Sequence, residues 1–258
     1  MFFMDTSNKI LYLAAEAGRI ILQNGGETSR VEETMTKICY GLKVKNADSF
    51  VTPTGIMLSI TDENNKTISL IRKINYRSIN LEKVDKINAL SREIVSTCPS
   101  LNYVEERLKE IDNSPEYNKK LLILASSFSA GFFTLLFGGN IRDFFVSLFI
   151  GVIIKVICII LNSIKINEFF INCLGGAIAS LIAIISIHLG IGVNEDKIII
   201  GSIMLLVPGL IITNAIRDTL AGDLVSGISR AIEAFFIAVA IATGSGIVMK
   251  LWFYFGGM

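Results

Sequence analysis

Ionisable residues follow directly on a long apolar run in the carboxyl-terminal half of the chain. The run Ile198–Val207 ends at Pro208-Gly209, and a helix is expected to kink or break there because proline removes a backbone donor. Charged groups beside a broken helix at a membrane edge are costly unless they pair with one another or line a hydrated cavity. The candidate site residues after the break are Asn214, Arg217, Asp218, Asp223, Arg230 and Glu233.

These side chains suit the binding of a small charged solute together with a proton. A carboxylate-bearing substrate needs a cation facing it, and we expect Arg217 to hold that carboxylate because a guanidinium stays charged. Proton coupling needs a carboxyl group that changes its charge, which desolvation favours. Asp218, Asp223 and Glu233 are the candidates, and Asp223 is preferred because Arg217 is adjacent to Asp218. The alternative is that Arg217–Asp218 and Arg230–Glu233 are interfacial anchors, while Asp223 caps a helix.

A second polar group lies in the amino-terminal part, where Glu27, Arg30 and Glu32 stand at the start of a predicted helix. Ser29, with Glu32 three residues later, predicts a capping box. The three charged residues are either a functional cluster that contacts the membrane domain or a helix cap with surface ion pairs. The residues alone favour the second interpretation, since exposed ion pairs are common and contribute little.

Motifs in both halves of the chain resemble the signature of the threonine/serine exporter family. The resemblance covers nearly the whole chain. It implies a secondary exporter of small amino acids (threonine or serine) or small carboxylates, driven by the proton gradient across the bacterial cytoplasmic membrane. The motifs are Pro208-Gly209, Asn214-Ala215-x-Arg217-Asp218, Gly222-Asp223, Gly227 and Arg230, together with Gly26-Glu27-x-x-Arg30-Val31-Glu32 and Thr52-Pro53-Thr54-Gly55.

The resemblance also implies a protein partner. Long members of the family carry a second set of transmembrane helices after the part matched here, and other members are split between two polypeptides. This chain looks like the larger subunit of such a pair. About five spans are expected in this chain. This number is small for alternating access, because that mechanism usually needs two halves that move against each other. We therefore expect a second transmembrane subunit, self-association, or both.

Composition separates two regions and argues against several functions. The chain has 258 residues and a net charge of +1, and no basic stripe indicates nucleic-acid binding. Of its 24 basic and 23 acidic residues, 33 lie in residues 1–120 and 14 in the remainder, as expected for a soluble domain followed by a membrane domain. The four cysteines form no CxxC or Cys/His cluster, so neither a metal nor a cofactor is expected.

The amino-terminal part, residues 1–118, is predicted to be a small cytosolic α+β domain. It holds no glycine-rich phosphate loop, no nucleophile elbow and no histidine, so no catalytic residue and no enzyme are predicted. Pro53 and Gly55 are expected to make a bulge or an edge position in the first strand. The expected elements are helices over 8–23 and from Ser29 through Cys39, strands over 47–60 and 66–74 with a turn at Asp62-Glu63-Asn64-Asn65, and helices over 81–97 and 101–112.

Residues 119–258 are predicted to be an α-helical transmembrane bundle of about five spans. The positive-inside rule predicts that the amino-terminal domain lies in the cytoplasm, because basic residues flank the spans on that side: Lys119, Lys120, Lys165 and the arginines of 214–230. An odd number of spans then predicts that the carboxyl terminus lies outside. Gly244-Ser245-Gly246 is either a helix-packing site or a second break. The spans are expected at about 121–137, 143–161, 169–189, 197–213 and 231–254, each near the ~20 residues that a bilayer requires.

Two classes of function therefore remain. The first is a transport subunit in a multi-pass membrane protein, with a small solute, protons and the lipid bilayer as its partners. The second is a membrane-anchored regulatory or scaffold protein whose soluble domain binds a partner. An anchor does not need a broken helix beside several carboxyl groups and two arginines, so the sequence favours transport. It does not indicate which small amino acid or carboxylate is carried.

Overall fold

The structure is a computed structural model that describes residues 6–62, 65–115 and 117–255. Its internal contacts divide the chain into two compact units. The first unit contains the described residues up to 115 together with Leu210–Ala231, and the second contains 117–209 together with the residues from Ile232 onward. One boundary lies beside the expected position at residue 118. The segment with most of the candidate site residues, however, belongs to the same unit as the amino-terminal part.

Four helices carry much of the core of the first unit. Their buried faces repeat every three or four residues, as Leu13, Ala17 and Ile20 do in the first helix. The last two helices have the predicted bounds, and side chains cap both of them: Asn80 accepts from the N–H of Lys83, and Ser100 from that of Tyr103. The helices are α1 Thr6–Gln23, α2 Thr28–Gly41, α3 Leu81–Thr97 and α4 Leu101–Asp112.

Three antiparallel strands form the sheet of the first unit, in the order β1 Asn46–Thr52, β2 Gly55–Thr61 and β3 Thr67–Lys73. The single strand predicted over 47–60 is wrong, because Thr52 pairs with Gly55 and the chain reverses between them. Pro53 has a fixed φ and no N–H, which suit a turn rather than a bulge. The expected alternative, an edge position, agrees with the place of β1 at an edge of the sheet.

The strand predicted over 66–74 is confirmed as β3, which lies at the opposite edge of the sheet from β1. Between β2 and β3, the N–H of Asn65 donates to the carbonyl of Asp62 at 3.1 Å. Glu63 and Asn64 of the predicted turn lie outside the described residues. In β2 the side chains of Ile56, Leu58 and Ile60 are buried, so every second residue of the central strand faces the core.

Long apolar helices form most of the second unit. By length and composition, four of the helices in the described residues are able to cross a membrane, namely α5, α6, α7 and α10. The last of these begins in the first unit and ends in the second. The helices are α5 Lys119–Leu136, α6 Ile141–Ser163, α7 Glu168–His188, α8 Glu195–Ile203, α9 Gly209–Leu220 and α10 Leu224–Phe255.

The span predicted over 197–213 is interrupted, in agreement with the break expected at Pro208-Gly209, and its crossing of the membrane stays a prediction. α8 ends at Ile203, and α9 begins only at Gly209. In the intervening stretch the N–H groups of Leu205 and Leu206 donate to Ser202 and Ile203, three residues earlier. These tighter turns end the helix before Pro208, which has no N–H with which to continue it. The described residues therefore contain four candidate spans and a broken segment.

Small residues let α7 and α10 approach closely within the second unit. Ser245 Oγ donates to the carbonyl of Gly176 at 3.0 Å, and a Cβ on Gly244 would overlap the carbonyl of Cys173. Because α10 is continuous through Gly244-Ser245-Gly246, the packing interpretation is confirmed and the second break is wrong. Residues 256–258 lie outside the described residues, and the side of the membrane on which the chain ends stays a prediction.

Candidate functional site

A tight turn joins α9 to α10 and sets the positions of the ionisable side chains. Gly222 has a φ of +96°, which glycine adopts without the strain of a side chain. The N–H of Asp223 donates to the carbonyl of Asp218 at 2.9 Å, and that of Gly222 to Thr219 at 3.2 Å. This is the bonding pattern of a Schellman motif, which ends a helix and reverses the chain. The start of α10 therefore returns beside α9, where Gly227 packs against Thr219.

Asp218 and Arg230 form a buried ion pair within the first unit. Their side chains are 0% and 4% exposed, and Arg230 Nε lies 3.0 Å from Asp218 Oδ2. The backbone N–H of Thr28, the first residue of α2, donates to Asp218 Oδ1 at 3.1 Å. The carboxylate therefore faces a guanidinium and the amino-terminal end of a helix, both of which favour its negative charge.

Burial opposes that charge. Loss of hydration raises the pKa of Asp218 above the ordinary aspartate value, while the hydrogen bond from Thr28 and the charge of Arg230 act in the opposite direction. The negative charge of Asp223 adds to the rise. The net direction is upward, so the folded protein holds a proton on Asp218 more readily than an unfolded chain would.

The loop between α1 and α2 is bonded to side chains of α9 and α10. Asn214 Nδ2 donates to the carbonyl of Gly25 at 2.9 Å, and Arg230 Nη2 donates to the carbonyl of Gly26 at 3.0 Å. Gly25 has a φ of +94°, so the loop needs glycine there to present its carbonyl groups in this way. Two motifs nearly 200 residues apart in the sequence are thus joined by direct hydrogen bonds.

Arg217 has a different environment from Arg230. Its guanidinium pairs with Glu27, which also lies 3.3 Å from Arg30 Nη2. The side chain of Arg217 is 56% exposed, so solvent screens this pair. In the described part of the chain, the cation beside Asp218 is therefore Arg230 and not its sequence neighbour Arg217. Glu27 and Arg30 contribute to an ion-pair cluster with a residue of α9.

Glu32 connects α2 to the edge of the sheet. Its Oε1 accepts from the N–H of Val51 in β1 at 2.7 Å, and Ser226 Oγ in α10 donates to the Val51 carbonyl at 3.4 Å. The predicted capping box is wrong, because Glu27 is the N-cap of α2 and the Glu32 carboxylate bonds to the strand instead. The helix begins one residue before Ser29, which places Glu32 too far along it to reach the cap.

Glu32 also lies close to the acidic residues of α9 and of the turn after it. Burial raises the pKa of Glu32 above the ordinary glutamate value, and the hydrogen bond from Val51 counters this rise. The negative charges of Asp223 and Asp218 raise the pKa further. The three carboxyl groups are therefore electrostatically coupled, although they come from distant parts of the sequence.

An open pocket of about 440 Å³ lies against these groups. Asp223 belongs to its wall, and Thr28 Oγ1 donates to Asp223 Oδ2 at 3.4 Å. The wall carries three carboxyl groups, one lysine and several hydroxyl groups, a combination suited to a small polar solute. The lining residues are Ser29, Glu32, Glu33, Thr36, Lys37, Tyr40, Ser49, Ala221 and Asp223.

The first unit thus brings together most of the residues singled out from the sequence. Glu233 lies further along α10, in the part that belongs to the second unit, and Gly209 also belongs to that unit. The sequence did not indicate Thr28, which contacts both Asp218 and Asp223. One signal was available: Thr28 lies inside the Gly26–Glu32 motif at a predicted helix start, where backbone N–H groups have no partner within the helix.

Comparison with known proteins identifies the family. The model of the threonine/serine exporter family, ThrE, matches residues 12–252. The chain belongs to the threonine/serine exporter family. The resemblance read from the motifs is therefore confirmed.

Individual relatives fall into two length classes. The chain is 24% identical over 249 residues to the threonine/serine exporter of Corynebacterium glutamicum, covering 94% of this chain and 51% of that protein. It is 25% identical over 243 residues to a Klebsiella aerogenes protein named "Probable succinate transporter subunit YjjP", covering 93% of each. An Escherichia coli K12 protein of the same name is 24% identical over 251 residues, with 96% of each covered.

The chain therefore spans about half the length of the C. glutamicum exporter and nearly the whole length of the YjjP subunits. No solved structure matches it significantly.

Proposed function

We propose that this chain is a subunit of a secondary exporter of small amino acids, driven by the proton gradient. It acts in the bacterial cytoplasmic membrane with its amino-terminal domain in the cytoplasm, and with a second membrane subunit or another copy. Family membership supports export. The relatives of similar length are named as transporter subunits, which supports a partner.

The charged groups that line the pocket are the observation that supports amino acids as the substrate class. Glu32 and Asp223 line it together with Lys37, which also pairs with Glu33, and with the hydroxyl groups of Ser29 and Ser49. An amino acid carries an ammonium group that suits the carboxylates and a carboxylate that suits the lysine. The hydroxyl groups suit the side chain of serine or threonine.

A dicarboxylate would bring two negative charges to a wall that already holds three carboxyl groups and one lysine. Like charges in a partly buried site repel by up to about 4 kcal/mol at 4 Å with an effective dielectric constant of 20. The pocket therefore favours threonine or serine over succinate, even though the relatives of matching length are named for succinate.

Within this proposal the buried pair and the pocket have different roles. Asp218 and Arg230 hold the loop that contains Gly26, whereas Asp223 lines the pocket and carries the coupling proton. Arg217 is proposed to hold the substrate carboxylate during part of the cycle, which requires the substrate to replace Glu27 as its partner.

The test uses proteoliposomes that contain this chain with and without its co-expressed partner. We expect threonine counterflow that serine competes for and succinate does not. Asp223→Asn should abolish uphill export and leave passive exchange measurable. The control is Asp85→Asn, an exposed carboxyl group on α3 outside the pocket lining, which should leave both activities unchanged.

Each part of the proposal has its own contradicting result. Competition by succinate as strong as that by serine would exclude the amino-acid assignment. Full gradient-driven export by Asp223→Asn would exclude its proton role. Proton-driven transport by the chain alone, as a monomer, would exclude the partner.

A further inference from the structure

Two arginines of the first unit share a single carboxylate oxygen. Arg30 Nη2 in α2 lies 3.3 Å from Glu27 Oε1, and Arg217 Nη1 in α9 lies 2.5 Å from the same atom. Their guanidinium groups come from distant parts of the sequence and are neighbours in the fold. Like charges repel at such short range, so an anion between them is required. Arg30 and Arg217 are called the arginine pair below.

The arginine pair has an excess of positive charge and of hydrogen-bond donors. A guanidinium has five N–H donors, and among the described residues each of the two bonds to one acceptor atom only. Glu33, one turn after Arg30 in α2, pairs with Lys37. Asp218 in α9 pairs with Arg230. These carboxylates are therefore committed elsewhere, and the pair keeps one positive charge that the shared carboxylate does not neutralise.

The carboxylate of Glu27 is not used to cap its helix. Glu27 is the N-cap of α2, yet its side chain makes no capping hydrogen bond. An N-cap side chain ordinarily accepts from a backbone N–H of the first turn. Here the carboxylate instead reaches the arginine pair, and its side chain is 15% exposed. A carboxylate between two guanidinium groups has the same chemistry as the carboxylate of a bound solute.

The arginine pair lies beside the pocket of about 440 Å³. Glu33 and Ala221 belong to the lining of that pocket. Arg30 precedes Glu33 by one turn of α2, and residues at this spacing share a helix face. Arg217 precedes Ala221 by one turn, since the N–H of Ala221 donates to the carbonyl of Arg217 at 2.9 Å. Two of the elements that line the pocket therefore also carry the pair.

We propose that Arg30 and Arg217 together bind the carboxylate of the transported solute, and that Glu27 occupies them when the solute is absent. The identity of the solute rests on the proposed function, which this inference extends from Arg217 to Arg30 and Glu27. Binding exchanges one carboxylate for another, so no guanidinium loses its counter-charge. Glu27 is then a competitor within the protein, and it lowers the observed affinity by the fraction of molecules in which it occupies the pair.

Neutralising Glu27 separates this role from a purely structural tie between α2 and α9. Glu27→Gln keeps the size of the side chain and removes its charge. The half-saturating concentration of threonine in counterflow should fall about 2–5-fold, because an internal competitor of ion-pair strength is removed. The matched control is Glu110→Gln, which removes the partner of Arg107 three residues away on α4 and should change nothing. An unchanged or weaker affinity in Glu27→Gln overturns the inference.

The role of Arg30 is tested with a ligand that lacks the carboxylate. Arg30→Gln should raise the half-saturating concentration of threonine about 3–10-fold and leave that of threoninamide unchanged. Arg107→Gln is the control, since Arg107 is 40% exposed and Arg30 43%. If Arg30→Gln does not fold, Arg30→Lys keeps the charge, loses the forked donors and should give a smaller selective loss. Equal losses for both ligands, or no loss for threonine, overturn the role of Arg30.

A binding test with acetate does not depend on transport. The thermal midpoint of the purified protein in detergent is measured in sodium acetate and in sodium chloride of equal ionic strength. A ligand that binds the folded state raises the midpoint, so acetate should raise it more in Glu27→Gln than in the parent and least in Arg30→Gln. An equal effect of acetate on all three proteins overturns the inference. If threonine is not transported while acetate gives the expected order, the proposed function fails and the carboxylate site remains.

Discussion

Removing the Arg230 guanidinium is expected to destabilise the first unit, and more strongly at neutral than at acidic pH. In Arg230→Met the fully buried Asp218 carboxylate keeps the Thr28 N–H at 3.1 Å but loses its cation at 3.0 Å. The carbonyl of Gly26 also loses its donor. Removing one partner of a buried ion pair costs about 3–5 kcal/mol. For a protein of this size, that loss lowers the thermal midpoint by roughly 6–20 °C.

The pH dependence follows from the pKa of Asp218. Burial already raises this pKa, and the charge of Arg230 lowers it, so removing the arginine raises it further. A carboxyl group whose folded-state pKa exceeds its unfolded value contributes stability that is fully present below the unfolded pKa and lost as pH rises through the folded pKa. The deficit of Arg230→Met should therefore be small near pH 4–5 and large near pH 8.

The measurement is the thermal midpoint of purified protein in detergent at several pH values. Arg107→Met is the matched control, because Arg107 is 40% exposed and pairs with an exposed Glu110; it should unfold like the parent. The double variant Asp218→Asn/Arg230→Met removes both charges and should recover most of the loss, since the two sites are coupled. A deficit that is equal at all pH values, or a double variant as unstable as the single one, would refute the reasoning.

Two further predictions concern the helix break and Glu32. Pro208→Ala restores a backbone N–H where the chain leaves helix between Ile203 and Gly209; the protein should fold and lose transport, while Pro115→Ala in an exposed loop should change neither. Normal counterflow by Pro208→Ala would show that the break serves packing only. Burial raises the pKa of Glu32, so the parent should lose stability as pH rises above the ordinary glutamate range. Glu32→Gln removes this titrating carboxyl group, and the stability of the variant should therefore depend less on pH over the same range. Midpoint curves that run parallel over pH 4–8 would contradict this.

Features that depend on nearby residues were predictable from the sequence. The bounds of α3 and α4 agree with prediction because both signals are local in the sequence. The apolar residues repeat with the helical period, and the capping residues Asn80 and Ser100 directly precede the two helices. The predicted spans that correspond to α5, α6 and α7 were found for a similar reason, since about 20 consecutive apolar residues are a local property. The candidate site residues could also be identified from the sequence, because a polar residue beside an apolar run is conspicuous even when its contacts are unknown.

Turn positions were harder to predict, because two strands of a tight hairpin have the same composition as one long strand. At Pro53 the sequence predicts an irregularity within a strand, and only the pairing of Thr52 with Gly55 shows that the chain turns there. The run 197–213 is apolar enough to suggest a span, and Pro208-Gly209 predicts a break in it but not where the preceding helix ends. The early end of α8 at Ile203 depends on which carbonyl groups the following N–H groups reach.

The partners of the charged groups were decided by tertiary structure alone. Adjacency in the sequence suggested that Arg217 neutralises Asp218, but neighbouring helical residues point about 100° apart. The turn at Gly222 instead brings Arg230 to Asp218, and chain folding brings Glu27 to Arg217 across 190 positions. The sequence by itself determined which residues carry charge and which helices are apolar. Only the fold decided which charges meet, because contacts between distant segments depend on packing of the whole unit and leave no periodic signal in the chain.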